Sequence, residues 1–224
     1  MHPTVSALQS LLEQNADPQK AGPMSAYMRG QFAYLGIKSP EMASLQKGFY
    51  AQHGLPAISE IEQILCDLWA LPEREFQYAG LTLLDRFEKK LPEEFIETLE
   101  FMLVTKSWWD TVDLIAAHAV GTHFRRFPSV RAERLGRWRV SDNFWLRRSA
   151  ILYQLHYKKE TDFPLLCEII RENLGSNEFF INKAIGWALR EYSKVDEQAV
   201  RGFVIRTPLN PLSAREALKW LEDA

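Results

Sequence analysis

The sequence predicts an all-α fold, a solenoid of stacked helix pairs that curves around a concave face. Three observations carry this expectation. Apolar residues recur at spacings of three and four along nearly the whole chain. No segment alternates as a strand does, and no hairpin turn signal is present. Several stretches align with one another at a period of about 35–36 residues, the range in which helix pairs stack into arrays.

In chain order, Val5, Leu8 and Leu12 form the first helical stripe. Ile58, Ile61, Leu65 and Leu68 form another, and Leu165, Leu166, Ile169 and Ile170 a third. Pro40, Pro56, Pro72, Pro92, Pro128, Pro164 and Pro208 fall between such runs. Pro72, Pro92 and Pro128 read as first-turn prolines, where the missing N–H costs nothing. Ser141 and Ser176 read as N-caps. The whole reads as about a dozen helices with short connections, in a single domain over 1–224.

The repeat is clearest where "SDNFWLRRSAILYQLHYK" (141–158) aligns with "SNEFFINKAIGWALREYS" (176–193). Phe144 falls on Phe179, Trp145 on Phe180, Arg148 on Lys183 and Tyr157 on Tyr192. "TKSWWDTVDLIA" (105–116) fits one repeat earlier, and "EFQYAGLTLLDRF" (75–87) and "PLSAREALKWL" (211–221) fit more loosely. This favours a HEAT-like array over an irregular bundle.

The 224 residues are 46% apolar, enough for a sizeable core, and include seven tryptophans. A net charge of −2 gives no global sign of a nucleic-acid partner. The charge is uneven, however: residues 123–149 carry Arg125, Arg126, Arg131, Arg134, Arg137, Arg139, Arg147 and Arg148 against only Glu133 and Asp142. Such a run is a binding surface or a set of solvated helix faces. Cys66 and Cys167 sit in amphipathic patterns and read as small apolar residues in a reducing compartment. The N-terminus has no signal-peptide pattern and no window approaches a membrane span, so a cytoplasmic protein, bacterial and nucleoid-associated in use, is expected.

Wound as a helix, residues 105–115 put Thr105, Trp108, Val112 and Ile115 on a core stripe. Lys106, Trp109 and Asp113 fall on a second stripe. In the last clear repeat Ile181, Ile185, Leu189 and Tyr192 form the core stripe, while Lys183, Trp187, Arg190 and Lys194 set a tryptophan among three cations. Between these repeats, Arg148 interrupts the apolar stripe of Phe144, Ile151 and Leu155, and must reach water, an acid or a phosphate. One carboxylate, two indoles and several cations beside successive core stripes suit a phosphodiester ligand. Other chemistries find no support. His118 and His123 are misspaced for a helical metal pair, and His2, His53 and His156 are scattered. No P-loop, dinucleotide glycine pattern or nucleophile elbow is present. Glu73 and Glu75 read as first-turn helix charges.

These residues resemble the AlkD-like DNA alkylation repair glycosylases, a family built from HEAT-like repeats. The likeness covers essentially the whole chain. It rests on "YMRGQFAYLGI" (27–37), "LWALPEREFQ" (68–77), "VTKSWWDTVD" (104–113), "SDNFWLRRSAIL" (141–152), "FFINKAIGWALREYSK" (179–194) and "LSAREALK" (212–219). The resemblance implies excision of positively charged N3- or N7-alkylated purines from duplex DNA, without a pocket for a flipped base. It implies that Asp113 is the catalytic carboxylate and that Trp109 and Trp187 contact the lesion's deoxyribose. It implies that Arg148 contacts phosphate and that Tyr27, Arg190 and Lys194 contact the backbone. Lys183, Lys106, Lys38 and Ser39 complete the expected DNA-binding set. Met42 and Ala43 depart from the family where a polar, groove-probing side chain can occur, and His156 stands where a lysine would suit a phosphate. The expected partner is double-stranded DNA carrying alkylated bases, bound by a monomer, with no cofactor, metal or membrane. A non-catalytic binder of bent or branched DNA and a protein-interaction solenoid are the competing readings.

Overall fold

The computed structural model describes residues 1–221 and is helical almost throughout. The chain divides into two compact units, Met1–Thr98 and Leu99–Ala224. The first contains α1 (Pro3–Gln14), α2 (Pro18–Tyr27), α3 (Ser39–His53), α4 (Ile61–Ala70) and α5 (Arg74–Phe87), and α6 (Ile96–Val104) carries the boundary. The second contains α7 (Trp109–Leu114), α8 (Gly121–Arg126), α9 (Pro128–Trp138) and α10 (Phe144–Leu152). It continues with α11 (Phe163–Glu172), α12 (Phe179–Ser193), α13 (Glu197–Arg206) and α14 (Pro211–Leu218). Among the described residues, extended pairing is limited to one isolated bridge between Ala33 and Glu73. The all-α class read from periodicity therefore holds. None of these helices is long and apolar enough to cross a membrane.

In the first unit the stripes read from sequence are the core. Val5, Leu8 and Leu12 of α1 and Ile61, Leu65 and Leu68 of α4 are buried, whereas Ile58 lies exposed in a short 3₁₀ turn ahead of α4. Removing a ring such as Phe76 from water stabilises by roughly 2–3 kcal/mol, and Phe76 is fully buried on α5. Glu75, its neighbour, stands in the first turn of α5 as expected, but it is not solvated. It is fully buried and accepts hydrogen bonds from the backbone N–H groups of Leu35 (3.0 Å), Gly36 (2.8 Å) and Ile37 (3.1 Å). The loop after α2 has no helix or sheet partner for these amides, so a buried carboxylate supplies one. Gly36 is required here: its φ is +94°, and a Cβ would lie 2.0 Å from the carbonyl oxygen of Asp17. Arg74 is also buried, with its guanidinium 3.8 Å from the Phe32 ring centroid.

Pro128 in the second unit opens α9 as expected, while Pro72 and Pro92 in the first unit precede helical turns rather than begin α-helices. The cap positions shift by two residues. Asn143, not Ser141, caps α10 by accepting from the Trp145 N–H at 2.9 Å, and α12 begins after Glu178. Ser141 and Ser176 instead accept from the backbone N–H two residues on, at 3.1 and 3.2 Å. Serine hydroxyls favour this local turn, and its recurrence in both stretches matches the repeat alignment. Most of the arginine run is occupied within the fold. Arg134 and Arg137 reach Glu100, Arg139 reaches Glu168 and Glu172, Arg125 reaches Glu160, and Arg147 donates to the Ser141 carbonyl.

Candidate functional site

The helix that carries Asp113 starts later than its periodicity suggests. Trp108 is its N-cap, in extended conformation, and Trp109 is its first residue. Lys106 lies in the preceding turn with a φ of +51°, so it does not share a helical stripe with Trp109 and Asp113. Trp108 packs its ring against Phe180 at 5.1 Å and Trp145 at 6.0 Å. It remains only half-buried, a packing residue at the edge of the core rather than within it. Beyond Leu114 the helix widens into a π-helical segment, Ile115–Val120, before α8. Such segments break the 3.6-residue register and recur near functional sites. Here the segment begins two residues after Asp113.

Asp113 is held by Arg148. The Arg148 Nε donates to Asp113 Oδ1 at 2.7 Å and Nη2 to Oδ2 at 2.8 Å, a two-pronged pair that fixes the plane of the carboxylate. Nη1 donates to the Phe180 carbonyl. Arg148 is buried and Asp113 nearly so, with side-chain exposures of 5% and 14%. Of the acceptors open to Arg148, then, the fold supplies an acid and a carbonyl, which leaves two of its five N–H groups for other partners. Burial pushes the Asp113 carboxyl above its ordinary value, and the Arg148 guanidinium opposes that rise. Asp110 nearby adds to it.

A cavity of about 350 Å³ opens onto this pair. It is lined by Trp109, Asp113, Arg148, Phe179, Phe180, Lys183, Trp187, Arg190 and Glu216. The catalytic candidates Asp113, Trp109 and Trp187 therefore share one cavity with Arg148, Lys183 and Arg190 from the DNA-binding set. Lys194 does not line it. It is exposed, pairs with Glu191 at 2.7 Å, and borders a separate cleft of about 650 Å³ with Arg125, His156 and Lys158. That cleft is larger but holds neither the indoles nor a buried carboxylate. His156 reaches the surface there, its ring 4.7 Å from that of His118, and partial desolvation by its neighbours followed by the His118 charge pushes its pKa down. Tyr27, Lys38 and Ser39 line a cavity of about 440 Å³ in the first unit, with Tyr34 and Tyr78. Tyr27 is strongly exposed, at 73%. Met42 is buried on α3 and serves the core, while Ala43 is exposed.

Two features of the site escaped the sequence reading. Phe179 and Phe180 form part of the cavity wall, and they were visible only as repeat-equivalent aromatics. Glu216 stands on α14, an ordinary amphipathic helix, and nothing in its spacing marks it. Among the described residues no group of three His, Cys, Asp or Glu side chains is placed to hold a metal ion.

Known proteins share the sequence pattern and the fold of this chain. Residues 8–221 match the family described as DNA alkylation repair enzyme. A solved structure described as a predicted DNA alkylation repair enzyme from Enterococcus faecalis is similar, at 32% identity and a TM-score of 0.85. The alignment covers 93% of this chain and 98% of that one. No curated protein matches the chain. From the family match over nearly its full length, and the shared fold, the chain belongs to the DNA alkylation repair enzyme family.

Proposed function

We propose that this chain is a DNA N-glycosylase that removes N3- and N7-alkylated purines from duplex DNA. The observation that carries the reading is a single cavity in which an oriented carboxylate, Asp113, lies with two indoles, Trp109 and Trp187. An alkylated purine of this kind is already cationic. When the bond from C1′ to the base nitrogen breaks, its electron pair neutralises the base, so no acid is needed to protonate the leaving group. The deoxyribose gains oxocarbenium character as the bond lengthens. Asp113 opposes that charge, and the indole faces stabilise it further. A water oriented by Asp113 bonds to C1′ and loses its proton through the carboxylate to solvent, leaving an abasic site. Arg148 keeps the carboxylate in plane and favours its ionised form against burial. Lys183 and Arg190 would take flanking phosphates. Tyr27, Lys38, Ser39, Lys106 and Lys194 are further candidates for backbone contact.

The two-pronged Asp113–Arg148 pair would serve equally as a structural ion pair in a non-catalytic DNA binder. One assay separates the two readings. Base release from methylated duplex, followed by mass spectrometry, is expected to show 7-methylguanine and 3-methyladenine. Asp113→Asn is expected to lower the rate by about 10²–10³-fold while duplex binding persists. Uracil, a neutral leaving group without help, is expected to be released far more slowly than either. Release by the native protein no faster than spontaneous depurination, with binding retained, would leave only the binding module.

A further inference from the structure

Lys183 and Arg190 flank Trp187, one turn before and one turn after it on α12. Neither is held by its own helix. Both are gripped by one carboxylate on the neighbouring helix: Glu216 Oε1 meets Lys183 Nζ at 2.9 Å, and Oε2 meets Arg190 Nη1 at 3.0 Å. Glu216 is only 15% exposed. Lys183 beside it holds its carboxyl below the ordinary value, against the effect of burial.

The contact depends on close approach of α14 to α12. A Cβ at Gly186, next to Trp187, would lie 2.5 Å from Glu216 Cβ and 2.9 Å from the Ser213 carbonyl oxygen. Ser213, fully buried, donates its hydroxyl to the Asn182 carbonyl at 2.8 Å. Past the helix end, the Trp220 ring lies 5.2 Å from the Arg190 guanidinium and 4.8 Å from Lys194 Nζ.

We propose that Glu216 is a positioning residue: it fixes Lys183 and Arg190 on either side of Trp187 and weakens the site's grip on the DNA backbone in return for alignment. The inference rests on the glycosylase reading for its catalytic consequence and on the ion-pair geometry alone for its binding consequence. One carboxylate between two cations lowers their combined charge by one. A phosphate that approaches them must compete with it. Removing the charge therefore frees a cation for DNA while loosening the wall that carries Trp187.

The test measures affinity for undamaged duplex across a salt series, and single-turnover base release, in Glu216→Gln, Glu216→Asp and Ser213→Ala. Glu216→Gln is expected to bind undamaged duplex several-fold more tightly, with a salt slope steeper by about one, and to release base about tenfold more slowly. Glu216→Asp retains the charge and is expected to recover part of both. Ser213→Ala loosens the same helix contact without touching the clamp, so it reports purely structural loss as a lower Tm. An unchanged salt slope in Glu216→Gln, or weaker binding with a lower Tm as in Ser213→Ala, overturns the proposal. If the native protein releases no base, the glycosylase reading fails while the salt slope still decides whether Glu216 restrains the two cations.

Discussion

Glu75 in the first unit and Asp113 in the second are both carboxylates set among apolar residues, yet they are satisfied differently. Glu75 is sealed from solvent, and three backbone N–H groups from one loop occupy it. Asp113 is fixed by a single guanidinium and retains 14% exposure toward a cavity that also holds two indoles. An ionised carboxylate offers about four acceptor sites. Where backbone amides fill three of them and solvent does not reach the group, it is scaffold. Where one side chain orients it and it borders a cavity, it is placed where a ligand could reach it. Burial alone does not distinguish the two, but the identity and direction of the partners do.

The largest test of this contrast removes the orienting partner. Arg148→Met leaves Asp113 as an uncompensated buried charge and is expected to cost about 3–5 kcal/mol in denaturant unfolding. Combining it with Asp113→Asn is expected to recover a large part of that loss, because the pair is coupled. Additive losses would mean that the two groups do not depend on each other. Next in size, Glu75→Gln places an amide N–H₂ against backbone donors and is expected to cost about 3 kcal/mol. Below the unfolding temperature it should leave the chemical step of base release unchanged, as measured in a single turnover. A specific loss of that step would mean that Glu75 acts in the chemistry rather than in the scaffold.

Smaller effects sharpen the comparison through pH. The Asp113 carboxyl titrates above its ordinary value of 3.8 because of burial, so base release should fall as pH falls through that raised value. The sign for stability is opposite. A carboxyl that is harder to ionise in the folded state costs stability when charged, and protonation relieves that cost as pH drops from the folded toward the unfolded pKa. Activity and this contribution to stability should therefore move in opposite directions on the acid side. The smallest effect is expected from Asp110→Asn. Removing that neighbouring charge should draw the acid limb of the rate profile to lower pH. A limb that stays in place would show that Asp110 does not act on Asp113.

Much of the fold was legible because helical burial has a period. Ile181, Ile185 and Leu189 sit on one stripe of α12 and all are buried, and the equivalent turns at Ser141 and Ser176 follow the repeat. Periodicity placed Val112 and Ile115 correctly in the core, but it missed a feature at each end of the Asp113 helix. It began too early, because Lys106 adopts a left-handed turn, and beyond Leu114 a π-helical segment shifts the register. Neither deviation changes residue composition, so neither leaves a trace in periodicity.

By itself, the sequence determined the all-α class, the core stripes and the types of residue available to the site, since these follow from local spacing and side-chain chemistry. Only the tertiary structure decided partners. Glu75 and Asp113 look alike as letters, and so do the cations at Lys183 and Lys194. Which of them meets backbone amides 38–40 residues away, an arginine 35 residues on, or a glutamate on the last helix is a long-range contact. Such contacts are set by how helices pack, and packing is a property of the assembled core rather than of any local stretch.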